Sequence, residues 1–219
     1  MALDVDFKVI NVVLTGRIAN RLNLEALRSI FPSAEDYLDG RGIRIRLRKP
    51  KKVHISFFDS GRMNITGASS VHHAMQAAYS IIKRLRRAGI VLFRHPELRI
   101  VNIVAEADFH GQVDFYRAIE VLSQHDGIEN VIYVPEQHPS LRIRIAYDTG
   151  HKVRRTTIIL FANGKCILPG FTDPEEALAI ARKLRAILIQ EGLLELEELD
   201  PIQVELPSPM YRALEELVK

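Results

Sequence analysis

The chain has 219 residues, 47 % of them hydrophobic, with a net charge of +3 and a pI of about 9.0. That length holds one large domain or two small ones with a sizeable core, and the mild basicity makes the placement of charge more informative than its total. A single cysteine excludes an internal disulfide framework and a cysteine-based zinc site. No apolar run is long enough to cross a bilayer and the opening residues lack a signal-peptide core, so the expectation is an intracellular chain without a membrane partner.

In chain order, β-branched residues predict a strand over 7–15, with Ile10, Val12 and Leu14 on one face and Val9, Asn11, Val13 and Thr15 on the other. Asn23 opens a short helix over 24–30, stopped by Pro32. A short strand over 34–38 leads to a glycine turn at 39–42. Residues 43–49 alternate strictly and set Arg44, Arg46 and Arg48 on one face. Pro50, Lys51 and Lys52 turn the chain into a strand over 53–58, with His54, Ser56 and Phe58 on one side. Ser60-Gly61 is a hairpin turn before a strand over 62–66. Ser69 or Ser70 then caps an amphipathic helix to Arg87, ended by Gly89.

A second series follows the same order: a strand over 99–105, a helix over about 113–123, a strand beginning at Ile132-Tyr133 and a strand over 141–147. A charged hairpin over 148–155 leads to strands over 156–161 and 165–168, and Asp173 caps a helix to Gln190. An acidic, then apolar, tail follows, with a short helix expected over 210–218. Asn11 and Asn102 stand 91 positions apart, Arg44-Ile45-Arg46 and Arg142-Ile143-Arg144 98, and Gly61 and Gly164 103. The offset grows only between elements, where loops lengthen at little entropic cost. The chain therefore reads as a duplicated β-α-β-β-β-β-α unit of the α+β class, with repeats at 1–92 and 93–195 and a tail at 196–219. Each strand has one apolar face, which suits four helices on one side of a ten-stranded antiparallel sheet and an open polar face on the other.

That open face carries the candidate site. Arg44, Arg46, Arg48, Arg62, His54, Lys51 and Lys52 suit phosphate binding, the bland alternative being a solvated sheet face. Asn11 and Asn102 are either base-edge donors or ordinary exposed polar residues, and Phe58 and Phe161 either wedges or hairpin aromatics. His72-His73 reads as helix surface with no third ligand at metal spacing, and Cys166 as a core thiol. No phosphate-binding glycine loop, catalytic triad or paired-carboxylate motif is present, so neither an enzyme nor a cofactor is expected.

Three motifs in order, two of them present twice, resemble the TATA-box-binding protein family across about residues 5–193. They are Phe7-Lys8-Val9-Ile10-Asn11-Val12-Val13 with 99–104, Phe58-Asp59-Ser60-Gly61-Arg62 through Ala68 with 160–165, and 133–144. The resemblance implies a saddle whose concave face sits in the minor groove of A·T-rich promoter double-stranded DNA and bends it with Phe wedges. It implies base contacts from Asn11, Asn102, Val13, Val104 and Thr66, wedges at Phe58 and Phe161, and phosphate contacts from Arg46, Arg62, Arg144 and Lys165, with Arg44 and Arg142 beside them. It further implies recruitment of a B-type general transcription factor through the loop holding Glu136. Departures are informative: the loop wedges are replaced by Gly40 or Arg41 and by His138, with Phe57 as a substitute wedge, and Asn64, Pro169, Ser69 and Thr172 stand at other motif positions. Glu106 falls on the concave face. The alternative is a protein-interaction module that kept the saddle and lost selective DNA binding; an accessory domain of a DNA-processing enzyme ranks below both. An archaeal source, with the chain on the cytoplasmic chromosome, is expected, or a nuclear location in a eukaryote. The oligomeric state is left open.

Overall fold

The structure, a computed structural model, describes residues 5–48, 52–150 and 152–196. The first repeat runs β1 (Asp6–Arg17), α1 (Leu24–Ile30), β2 (Glu35–Tyr37), β3 (Gly42–Leu47), β4 (Val53–Phe58), β5 (Arg62–Ala68) and α2 (Val71–Arg87). The second runs β6 (Glu97–Asp108), β7 (Gly111–Val113), α3 (Phe115–Leu122), β8 (Ile128–Tyr133), β9 (Ser140–Asp148), β10 (Val153–Phe161), β11 (Lys165–Phe171), α4 (Pro174–Gln190) and β12 (Leu194–Leu196). Ten strands form one sheet in the order β2-β3-β4-β5-β1-β6-β11-β10-β9-β8, so both halves have the same strand order about the β1–β6 seam. This is the expected saddle of ten antiparallel strands and four helices.

Local chemistry explains the boundaries. Asn23, Ser70, Asp114 and Asp173 each accept a hydrogen bond from an N–H of the first helical turn, which would otherwise lack a partner. Both hairpin glycines have positive φ, Gly61 at 80° and Gly164 at 74°. A side chain on Gly61 would come within 2.0 Å of the Ala19 carbonyl oxygen, and one on Gly164 within 2.5 Å of the Gly111 oxygen. These turns dock tightly on the chain leaving β1 and β6, and only glycine fits.

Val12, Leu14, Ile55, Ile65 and Met63, with the repeat-two equivalents Ile103, Ile158 and Leu168, are fully buried against Ala74, Ala78, Leu85, Ala177, Ala181 and Leu184 of the two long helices. Burying each large side chain contributes about 1.5–3 kcal/mol. Alanine on the helices lets them approach the sheet closely.

Three expectations about elements change. The register of β1 on β6 shifts between Val9 and Asn11, which makes Ile10 a bulge. Phe7 and Val9 therefore lie opposite Ala107 and Ala105 and share their core side, while Ile10 is 37 % exposed. The strand expected to begin at Ile132-Tyr133 instead ends there, because 135–137 form a turn. The short helix of repeat two starts at Phe115, and Gly111–Val113 pairs with Leu194–Leu196 as a small second sheet. The helix expected over 210–218 lies outside the described residues, as does Lys51.

Candidate nucleic-acid interface

Residues directly opposite one another in a ladder share a face. The pairings Asn11–Val104 and Val13–Asn102 put these four half-buried residues together at the middle of the helix-free side. The two asparagines are held alike. A bulge between Val12 and Leu14 releases Gly67 from the β1–β5 ladder, and its N–H donates to Asn11 Oδ1 at 2.8 Å. Gly170 N–H donates to Asn102 Oδ1 at 3.1 Å across the matching irregularity in β11. The amide orientation follows, since an N–H needs an acceptor. Each Nδ2 group keeps two donors that no hydrogen bond among the described residues takes up.

Outward in repeat one, a polar row crosses the sheet: Glu35, Arg44, Ser56, Asn64, Thr15 and Arg99. Arg44 is fixed from two sides, its guanidinium 3.8 Å over the Tyr37 ring and its Nε donating to Ser56 Oγ at 3.3 Å. The next row holds Arg46, His54 and Thr66. Arg44, Arg46, Arg48, His54, Ser33 and Glu35 line an open cleft of about 140 Å³. Burial lowers the His54 pKa below 6.5, and Arg46, Lys52 and Arg44 lower it further against the opposing pull of Glu35. Arg62 lies opposite Arg17, a like-charge pair.

Repeat two repeats the geometry with different chemistry. Its matching row is Arg142, Ile159, Ile167, Glu106 and Lys8, and Thr157 and Pro169 stand where repeat one has His54 and Thr66. Its cations are largely paired. Glu129 accepts from Arg155 at 2.6 Å and lies 3.3 Å from Arg144, and Lys165 is 3.8 Å from Asp108.

The aromatic positions separate cleanly. Phe58 is half-buried on the open face, its ring tilted against Tyr37 at 5.9 Å above Gly42. Phe161 occupies the same place in repeat two, opposite Ser140. Phe57 corrects the sequence expectation: it is 0 % exposed and stacked on Phe31 at 6.0 Å in the core, so it is no substitute wedge. His138 and Glu136 are exposed in the loop between β8 and β9; His138 lines a small cleft with Ile132, Val134 and Arg142.

Off the face, His73 is buried, with its Nδ1 accepting from Ser69 N–H at 3.3 Å, so only His72 of that pair is helix surface. Cys166 is buried and its thiol is pushed up to about 12, chiefly by burial. Among the described residues no cluster of three metal-ligating side chains occurs and no helix is long and apolar enough to cross a membrane. Sequence reasoning missed Tyr37 and Glu129. The placement of Tyr37 two residues beyond Glu35 on a short edge strand was the available signal for the first; nothing local marked the second.

Comparison with known proteins agrees with this arrangement. A family model described as transcription factor TFIID, or TATA-binding protein, matches residues 6–88 and 97–190. The TATA-box-binding protein of Pyrobaculum calidifontis is 31 % identical over 193 residues, covering 88 % of this chain and 90 % of that one. That of Sulfurisphaera tokodaii is 33 % identical over 196 residues, covering 89 % and 90 %. Among solved structures, Methanococcus jannaschii TBP matches with a TM-score of 0.70 at 31 % identity, covering 84 % of this chain and 98 % of its own.

Proposed function

The chain belongs to the TATA-box-binding protein family, whose members are non-enzymatic DNA-binding factors of transcription initiation, and from that premise we propose that it grips the minor groove of A·T-rich promoter DNA with its open sheet face. The observation that carries this reading is the pair of asparagines. Asn11 and Asn102 each keep an Nδ2 donor group for a partner, because a backbone N–H engages and orients each side-chain oxygen. The minor groove of A·T pairs offers only acceptors, adenine N3 and thymine O2. Val13 and Val104 supply apolar base-edge contact, Thr66 a hydroxyl, and Phe58 and Phe161 the wedges. Arg44, Arg46, Arg62, Arg142, Arg144 and Lys165 meet phosphates, with His138 at the outer loop of repeat two. The repeats at 1–92 and 93–195 act as two halves of one grip. The exposed loop carrying Glu136 is the site for a B-type general transcription factor, which the acidic side chain would engage.

Inosine substitution tests the groove. A duplex with every A·T pair of the site replaced by I·C has an altered major groove and an unchanged set of minor-groove acceptors. Binding should persist on it, and Asn11→Ala should weaken binding to both duplexes. Loss of binding on the I·C duplex would sink the minor-groove reading. A second reading, the protein-interaction module, is favoured by the carboxylates of repeat two; the absence of salt-dependent binding to any duplex would select it.

A further inference from the structure

Glu106 is a carboxylate of the open face that lies next to the central asparagine–valine cluster and runs against an A·T-rich groove. Its side chain shares that face with Lys8 on one flank and Ile167 on the other, and it is half-buried. No hydrogen bond or ion pair holds it among the described residues, whereas Asp108, two residues on, engages Lys165 at 3.8 Å. The equivalent residue in repeat one is Thr15, 91 positions earlier, whose hydroxyl donates to Asn64 Oδ1 at 2.6 Å. Asn64 is in turn replaced by Ile167. Repeat one therefore presents a satisfied neutral pair at this point, and repeat two presents a carboxylate flanked by Lys8 and Ile167 that forms no hydrogen bond or ion pair among the described residues.

A carboxylate only accepts hydrogen bonds. Against an A·T pair it would face adenine N3 and thymine O2, both acceptors, inside a groove of negative potential. The minor groove has one base donor, the guanine N2 amino group. Resting on the minor-groove reading above, we infer that Glu106 is a specificity-determining residue that accepts from a guanine amino group, so that the preferred site carries a G·C pair in the half under repeat two and A·T pairs elsewhere. The consequence is directional. A pseudo-symmetric saddle has two ways to sit on a symmetric site, and a guanine contact available to one half only selects one of them.

The test moves a single G·C pair through each position of an otherwise A·T duplex and measures affinity with the intact chain. One position should prefer G·C over A·T by about tenfold, the usual scale for one well-placed base contact. Inosine at that position, which removes only the amino group, should abolish the preference. Glu106→Thr should also abolish it, weakening binding to the G·C site and not to the all-A·T duplex, and Thr15→Glu should create a matching preference in the other half. Direction is read by attaching a cleavage reagent to Asp59→Cys in the exposed hairpin of repeat one; the buried Cys166 does not compete for the label. Cuts should fall at one end of the guanine-bearing site, and at both ends with Glu106→Thr. A chain that prefers A·T at every position, or whose G·C preference survives inosine or Glu106→Thr, overturns the role of Glu106 and leaves the groove reading standing. Loss of binding on the fully I·C duplex would overturn both.

Discussion

The two halves of the open face share a backbone and differ in what they do with charge. In repeat one Arg44 is braced by an aromatic ring and a hydroxyl, Arg46 has no carboxylate partner among the described residues, and burial together with the surrounding cations lowers the His54 pKa. In repeat two Glu129 binds Arg144 and Arg155, and Asp108 binds Lys165. A cation already paired to a carboxylate must give up that partner to meet a phosphate, so the same residue type has a smaller net effect. The halves share a strand order, and substitutions across the face leave one with freer cations and the other with paired cations and more apolar residues.

The largest expected effect follows from that contrast. Arg44→Ala with Arg46→Ala should lower the log–log salt slope of DNA binding by roughly 2, at about 0.9 per phosphate. The matched pair Arg142→Ala with Arg144→Ala should lower it by about 1, because Glu129 already engages Arg144. Glu129→Gln should raise the slope by about 1 and tighten binding at low salt. Equal slopes for the two double variants, with no effect of Glu129→Gln, would erase the distinction between the halves.

A smaller effect concerns bending. Repeat one has Tyr37 behind Phe58, whereas repeat two has no ring packed on Phe161 among the described residues. A wedge backed by a second ring is better placed to hold a base step open, against an unstacking cost of about a few kcal/mol. Phe58→Ala should therefore straighten a bound TATA duplex more than Phe161→Ala, as read by end-to-end energy transfer. With Gly40 or Arg41 and His138 at the loop positions, the native bend should be shallower than that of the family, and His138→Phe with Arg41→Phe should deepen it. A native bend already at the family's value and unmoved by the two Phe would show the loop wedges to be dispensable.

The smallest effect is a proton. Burial and neighbouring cations hold His54 below 6.5 in the free chain, so the folded state favours its neutral form and the histidine's contribution to stability is lost as pH falls below 6.5. A phosphate in the cleft reverses the local field and raises this pKa. Binding should then take up a proton, and affinity should rise as pH drops through 6.5 at constant ionic strength. His54→Asn should flatten the profile. Thr157, the equivalent in repeat two, does not titrate, so a slope that survives His54→Asn would point away from repeat one.

Much of this protein is written locally. Alternation in 43–49, glycines at 61 and 164 and caps at Asn23, Ser70 and Asp173 act over a few residues, so strands, turns and helices are legible without knowing what they touch. Duplication then supplied the topology, because the order of elements recurs at offsets of 91 to 103. Tertiary structure decided the finer placement of side chains on the open face. Phe57 and Phe58 are neighbours of the same type, and only pairing to β3 and β5 sends one to the core and the other outward. One bulged residue, Ile10, moves Val9 to the opposite side from that expected. Glu129 meets Arg155 across a gap of 26 residues, bridged by the chain's fold rather than by spacing. The physical reason is the two-residue period of a strand: a shift of one position changes the face of every residue beyond it, and register is set by partners distant in sequence.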